Sequence, residues 1–160
     1  MSDRGGVAPP TAGDRVASTV DAADQGRELP APARGVVLAH GGLAEALVAA
    51  VRQIAGATHD ALVAVSHDGE GREELCARAM SELRGPRSLL FTDLPSGGCH
   101  LAALIVTRQR PDVPVITGVN LPMLLDFVFN RRLEFDELVP RLAVKGQVAI
   151  AGNRPRPQLR

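Results

Sequence analysis

From Arg34 onward the hydrophobic positions switch between two periods. Val36, Val37, Leu38 and Ala39 form a short unbroken apolar run that stops at His40; after Gly41 and Gly42 the apolar residues recur at helical spacing as Leu43, Ala46, Leu47, Ala50 and Val51. Short apolar runs bounded by turn residues read as buried strands, and recurrence every three or four residues reads as a helix buried along one side. The alternation repeats along the chain. It predicts strands over 35–39, 61–66, 88–92 and 113–117. Helices are expected from Leu43 to Ala55, through Leu75, Ala79 and Leu83 to a stop before Gly85-Pro86, from Cys99 to Arg108, and over 123–131 and 135–144. A last apolar run, Val148 to Ile150, is too short and too late to begin another crossover. It is expected at a sheet edge, either antiparallel or exchanged with a neighbouring subunit in a dimer. Strands alternating with helices define an α/β domain: a doubly wound, mostly parallel sheet flanked by helices on both faces.

The flanks lack this pattern. Residues 1–33 hold Gly5, Gly6, Pro9, Pro10, Gly13, Pro30 and Pro32 among small and charged residues and are expected to be a disordered tail. Residues 34–151 then form the domain, and 152–160, with Arg154-Pro155-Arg156-Pro157, a flexible tail. The amino-terminal stretch has no long apolar run, so neither a signal peptide nor a membrane span is expected, and the placement is cytoplasmic. Formal net charge is zero over 160 residues, which removes the electrostatic argument for nucleic acid or an acidic lipid surface. Four phenylalanines without tryptophan or tyrosine leave no platform for stacked bases. Cys76 and Cys99 are not spaced as a close metal-binding pair, and a reduced setting accounts for them.

Candidate chemistry follows from topology. In a parallel sheet the loops after successive strands open on the same edge, where ligands of open α/β folds bind. That edge collects His40-Gly41-Gly42, His67-Asp68-Gly69, the segment from Asp93 through Ser96, Gly97, Gly98, Cys99 and His100, and Gly118-Val119-Asn120. A histidine and an aspartate at neighbouring strand ends can come within hydrogen-bond reach. A carboxylate accepting one ring N–H leaves the other nitrogen bare and steadies the positive charge that develops when it attacks. Glycines let backbone amides approach an anion closely, and the start of a helix favours one.

These residues resemble the mannose-family IIA component of the bacterial phosphoenolpyruvate-dependent sugar phosphotransferase system. The likeness rests on strand-His40-Gly41, on Phe91-Thr92-Asp93-Leu94 before a double glycine, on Val115 through Leu124 (Val-Ile-Thr-Gly-Val-Asn-Leu-Pro-Met-Leu), and on Phe135-Asp136-Glu137-Leu138. It spans residues 35 to 150 in order. The resemblance implies a homodimer in which His40 accepts a phosphoryl group from phospho-HPr and passes it to a separate IIB protein for sugar uptake. Asp93 would orient His40, and the attacking nitrogen would be Nε2. Gly41, Gly42, Ser96, Gly97 and Gly98 would cradle the phosphate, and neither a metal nor an organic cofactor is expected. The chain would be a phosphotransferase component, not a complete enzyme. Two departures stand out: the family usually has a shorter spacing between its aspartate and Gly-Gly-Ser, and Cys99-His100 here replaces the serine and its neighbour. The hydroxyl for the phosphate is then either supplied by Ser96 or missing.

Plainer and rival readings compete. Asp93 can serve as an ordinary turn cap, Cys99 as a small apolar residue under its loop, His59 and Arg131-Arg132 as solvated positions, and Asn120 with Pro122 as helix-start chemistry. His67 is a second base near the site. The His-Gly-Gly sequence occurs in esterase oxyanion loops, but no Gly-x-Ser-x-Gly elbow is present. Histidine phosphatases want an arginine where Ala39 stands. A metal-dependent hydrolase could draw on His40, His67, Asp93, Cys99 or His100, without support from helical ligand spacing. A regulatory module that changes its binding surface on phosphorylation of His40 would use the same chemistry without sugar transport.

Overall fold

The computed structural model describes residues 29–56 and 60–152. Four strands and five helices follow one another as β1 (Arg34–His40), α1 (Leu43–Ala55), β2 (Leu62–His67), α2 (Arg72–Glu82), β3 (Ser88–Thr92), α3 (Gly97–Gln109), β4 (Val115–Thr117), α4 (Leu121–Asn130) and α5 (Phe135–Val148). All strand pairs are parallel, in the order β2-β1-β3-β4. This is the doubly wound α/β class expected from the pattern. The order reverses direction at β1, with β2 added on one side and β3 on the other, so a crevice opens between the carboxyl ends of β1 and β3.

Alternation along β1 divides the core. Val37 and Ala39 face one layer with Val48 and Val51 of α1, Phe127 of α4 and Leu138 and Leu142 of α5. Val36 and Leu38 face the other, with Leu75 and Ala79 of α2 and Cys99, Ala102 and Val106 of α3. Gly35 lies where the first layer is tightest, since a Cβ there would come 2.6 Å from Leu62 Cδ2 and 2.9 Å from Phe127 Cε1. Phe91 and Phe127 meet edge to face beside it.

Within the chain, the carboxyl-terminal run does not form the antiparallel edge strand that is one of the two expectations. Val148 is the last residue of α5, and Val148 to Ile150 form no strand within the chain; the Ile150 amide instead bonds to the Gln147 carbonyl at 3.2 Å. The last helix runs past the expected end at Val144, and Gly146 inside it is a packing position. A Cβ at Gly146 would lie 2.6 Å from Met123 Cε, and the Gly146 carbonyl accepts a 2.9 Å bond from Asn120 Nδ2. Asn120 Oδ1 also accepts from the Met123 amide at 3.1 Å and so caps α4, ahead of Pro122 in its first turn. The helix continues because its carbonyl has a partner and its bare face has a neighbour.

Order also begins before residue 34. Ala33 is fully buried and its amide bonds to the Arg131 carbonyl at 2.7 Å, while Arg87 reaches the Ala31 carbonyl. The expected tails lie almost wholly outside the described residues, as does His59.

Candidate functional site

The two-residue repeat that sends Val36 and Leu38 toward α3 carries His40 to the same face at the end of β1. The parallel neighbour does likewise: Val65 packs in that layer, and His67 ends β2 directly in register with His40. Their rings lie 5.3 Å apart between centroids. Asp93 is the first residue after β3, across the crevice.

Asp93 grips His40 twice through one oxygen. Oδ2 accepts the His40 backbone amide at 3.0 Å and ring Nδ1 at 2.8 Å, while Oδ1 accepts the Leu94 amide at 2.9 Å. The Asp93 side chain is 9% exposed and that of His40 42%. Burial pushes the Asp93 carboxyl up, but the His40 amide, the His40 ring and the Leu94 amide together more than offset it and hold it below its ordinary value. An ionised carboxylate can only accept, so Nδ1 of neutral His40 carries the proton and Nε2 is bare.

The start of α3 closes the other side. Ser96 occupies the N-cap with extended backbone and makes no side-chain cap bond. Gly97 has φ +85°, a left-handed conformation that favours glycine, and a Cβ there would stand 3.9 Å from His40 Nε2. At Gly98 a Cβ would meet His67 Cε1 at 2.9 Å. These glycines keep the first turn of the helix, with its unpaired amides, against the two imidazoles. Gly41, with φ +54°, turns the chain out of β1 and donates its amide to the His67 carbonyl at 3.1 Å, and Gly42 is the N-cap of α1.

Cys99 is fully buried under this turn, as the plain packing reading expects, and it also touches the site. Its Sγ lies 3.6 Å from His40 Nδ1 and 4.0 Å from Nε2. Burial pushes the thiol up to about 11, with the Asp93 and Glu70 carboxylates adding to the shift. His67 Nε2 is 3.3 Å from the Glu70 carbonyl, whereas its Nδ1 is buried with no hydrogen-bond partner among the described residues. The β2–α2 loop that presents this carbonyl is fastened by Arg78, which pairs with Glu70 and donates to the Ser66 carbonyl at 2.8 Å. Nothing in the sequence beyond a Gly-rich turn marks Glu70 and Arg78 for this role.

His40, Asp93, Gly97 and Gly98 therefore come together as expected, joined by His67 and Cys99. His100 does not join the His40–His67–Cys99 cluster. Arg131 and Arg132 are engaged with Asp60 and the Pro30 carbonyl rather than forming a free basic face.

An imidazole held by a carboxylate, exposed at the switch point of a parallel α/β sheet and facing a Gly-Gly helix start, defines a class of site suited to covalent carriage of an anion. Sequence comparison gives the particular family: the model of the PTS system fructose IIA component matches residues 35–142, more than half of the chain, and the chain belongs to that family. It is thereby a phosphotransferase-system component of the mannose/fructose IIA type. The fold is similar to that of phosphotransferase system component EIIA from Streptococcus agalactiae, with TM-score 0.69 and 21% identity over 75% of this chain and 96% of that one. The mannose/sorbose-specific IIA subunit from Enterococcus faecalis is similar at TM-score 0.67 and 23% identity, over 81% of this chain and all of that one. A sigma-54 interaction domain protein from Enterococcus faecalis shares the fold at TM-score 0.60 and 14% identity, over 74% and 93%. No curated protein matches by sequence. Among the described residues no helix is long and apolar enough to cross a membrane.

Proposed function

We propose that this chain is a cytoplasmic phosphocarrier that takes a phosphoryl group from phospho-HPr onto His40 Nε2 and delivers it to a IIB component. The observation that carries this reading is the double grip of Asp93 on His40, which favours the tautomer with Nε2 unprotonated on a ring that is 42% exposed. The Nε2 lone pair attacks phosphorus as the donor's N–P bond breaks. Positive charge spreads onto the ring and is balanced by Asp93 through Nδ1–H. The phosphoryl oxygens lie toward the α3 start, where the amides of Gly97 and Gly98 and the Ser96 hydroxyl receive them, with Gly41 and Gly42 on the opposite rim. Transfer of this kind needs in-line positioning and charge neutralisation, which these groups supply.

A dimer accords with the same reading. The apolar Phe129, Val144, Val148 and Ile150 are exposed, and Ile150 shares a cleft with Ile116, Thr117 and Gly118 along the open β4 edge. A regulatory role for the same phosphorylated histidine is the second reading; the site chemistry is identical in both.

Incubation with phosphoenolpyruvate, enzyme I and HPr should place an acid-labile, base-stable label on the chain, and mass spectrometry should locate it at His40. His40→Ala should abolish it. Undiminished label on that variant would move the acceptor elsewhere and end this reading.

A further inference from the structure

We infer that His40, His67 and Cys99 form a binding site for a thiophilic divalent cation of the zinc type, and that this ion and a phosphoryl group exclude one another. One ligand-type atom from each of the three residues lies within 4.8 Å of the others, so small side-chain adjustments close a coordination sphere around one ion.

The surroundings of each ligand fit. Metal-binding imidazoles use one nitrogen for the ion and give the other N–H to a carboxylate or backbone carbonyl. His40 gives Nδ1–H to Asp93 and keeps Nε2 for the ion; His67 can give Nε2–H to the Glu70 carbonyl and keeps Nδ1, which is buried without a partner among the described residues. His40 Nε2 lies on the ring edge beside Gly97, and His67 Nδ1 on the ring edge that a Cβ at Gly98 would crowd at 3.3 Å. Cys99 supplies sulfur from below.

Charge balances as well. Capture forms one metal–sulfur and two metal–nitrogen bonds in place of bonds to water, and the thiol proton passes to solvent. The Cys99 thiolate and the Asp93 carboxylate then offset the two positive charges. Three protein ligands leave a fourth position for water on the solvent side. Donors of two imidazoles and a thiolate suit zinc, cobalt and copper and disfavour magnesium or calcium. The ion is not an aid to transfer, since it occupies the nitrogen that would attack phosphorus. This part of the inference rests on the phosphocarrier reading; the site itself rests on the geometry alone.

Metal binding is tested on the full chain without any phosphotransferase partner. Titration with Co²⁺ should give a thiolate-to-metal charge-transfer band saturating at one ion per chain, displaced by Zn²⁺ and unaffected by excess Mg²⁺. Cys99→Ser should remove the band, and His67→Gln should weaken binding by at least about tenfold, with circular dichroism confirming that both variants are folded. Absence of the band in the unaltered chain, or zinc affinity unchanged in both variants, would overturn the site. In a second arm, labelling from purified phospho-HPr freed of enzyme I should slow by more than about tenfold with one equivalent of Zn²⁺ and recover on chelation. Each variant is compared with its own zinc-free rate, and zinc should have little effect on Cys99→Ser. Unslowed labelling of a zinc-loaded chain would overturn the exclusion while leaving the phosphocarrier reading intact. Failure to label even without zinc would end the phosphocarrier reading and leave the metal site to be decided by the titration.

Discussion

Replacing Asp93 by asparagine tests the tautomer argument with almost no change of shape. The carboxylate accepts from the His40 amide and Nδ1 at Oδ2 and from the Leu94 amide at Oδ1. An asparagine cannot accept at both ends. With its oxygen toward His40 the NH₂ group confronts the Leu94 N–H, and the charge that steadied the ring is gone. With its NH₂ toward His40, Nδ1 becomes the acceptor and the proton moves to Nε2, the nitrogen that must attack. Hydrogen bonds to a charged group contribute about 1.5–3 kcal/mol. Loss of that much from the transition state slows transfer about 10- to 150-fold. In either orientation a donor meets a donor, so the denaturant midpoint should also fall. The assay is quench-flow transfer from phospho-HPr, followed by phosphate-affinity electrophoresis, with a denaturant melt of the same sample. A folded Asp93→Asn chain labelled at the unaltered rate would refute the role given to the carboxylate.

Three further outcomes are expected. The Asp93 carboxyl is held low, so its contribution to stability is complete above the unfolded value and is lost only as pH falls through the folded one; a carboxyl-carbon NMR titration should give a midpoint below the ordinary 3.8, and a midpoint at or above it would contradict the geometry. Gly35→Ala should cost about 1–3 kcal/mol by overpacking, because its Cβ would press on Leu62, Phe127 and Phe91; an unchanged urea midpoint would show that this layer is looser than it looks. Asp126 is 7% exposed and takes two bonds from Arg141, at 2.7 and 2.9 Å, tying α5 to α4. Arg141→Ala should therefore lower the urea midpoint, because it leaves the Asp126 carboxylate without its cation, and an unchanged midpoint would mean water replaces the guanidinium freely.

Legibility in the sequence varies with the range of the forces involved. The α1 and β3 boundaries coincide with the sequence reading because period and turn residues agree there: Gly42 and Gly56 bracket the helix, and Pro86 and Asp93 the strand. Boundaries shift where a tertiary partner decides. Val113 reads as strand, yet its amide turns back to the Arg110 carbonyl and β4 begins only after Pro114. The last helix, expected to end at Val144, runs on to Val148 with Met123 and Asn120 placed against Gly146. The same division holds at the site. That His40, Asp93 and the Gly97-Gly98 pair share one edge follows from strand order alone. That Cys99 faces an imidazole depends on where α3 begins, and starting the helix at Gly97 instead of Cys99 sets that rotation. The anchoring of His67 through Glu70 and Arg78 arises from contacts that no local pattern encodes.

The double hold of one carboxylate oxygen on both the main chain and the ring of His40 has a kinetic corollary. An imidazole so pinned cannot swing between a loading and an unloading position. In a phosphocarrier, donor and recipient proteins must then visit the same face in turn, and no ternary complex forms. Steady-state turnover should follow a substituted-enzyme scheme with parallel double-reciprocal lines, each unphosphorylated partner acting as a competitor of the other.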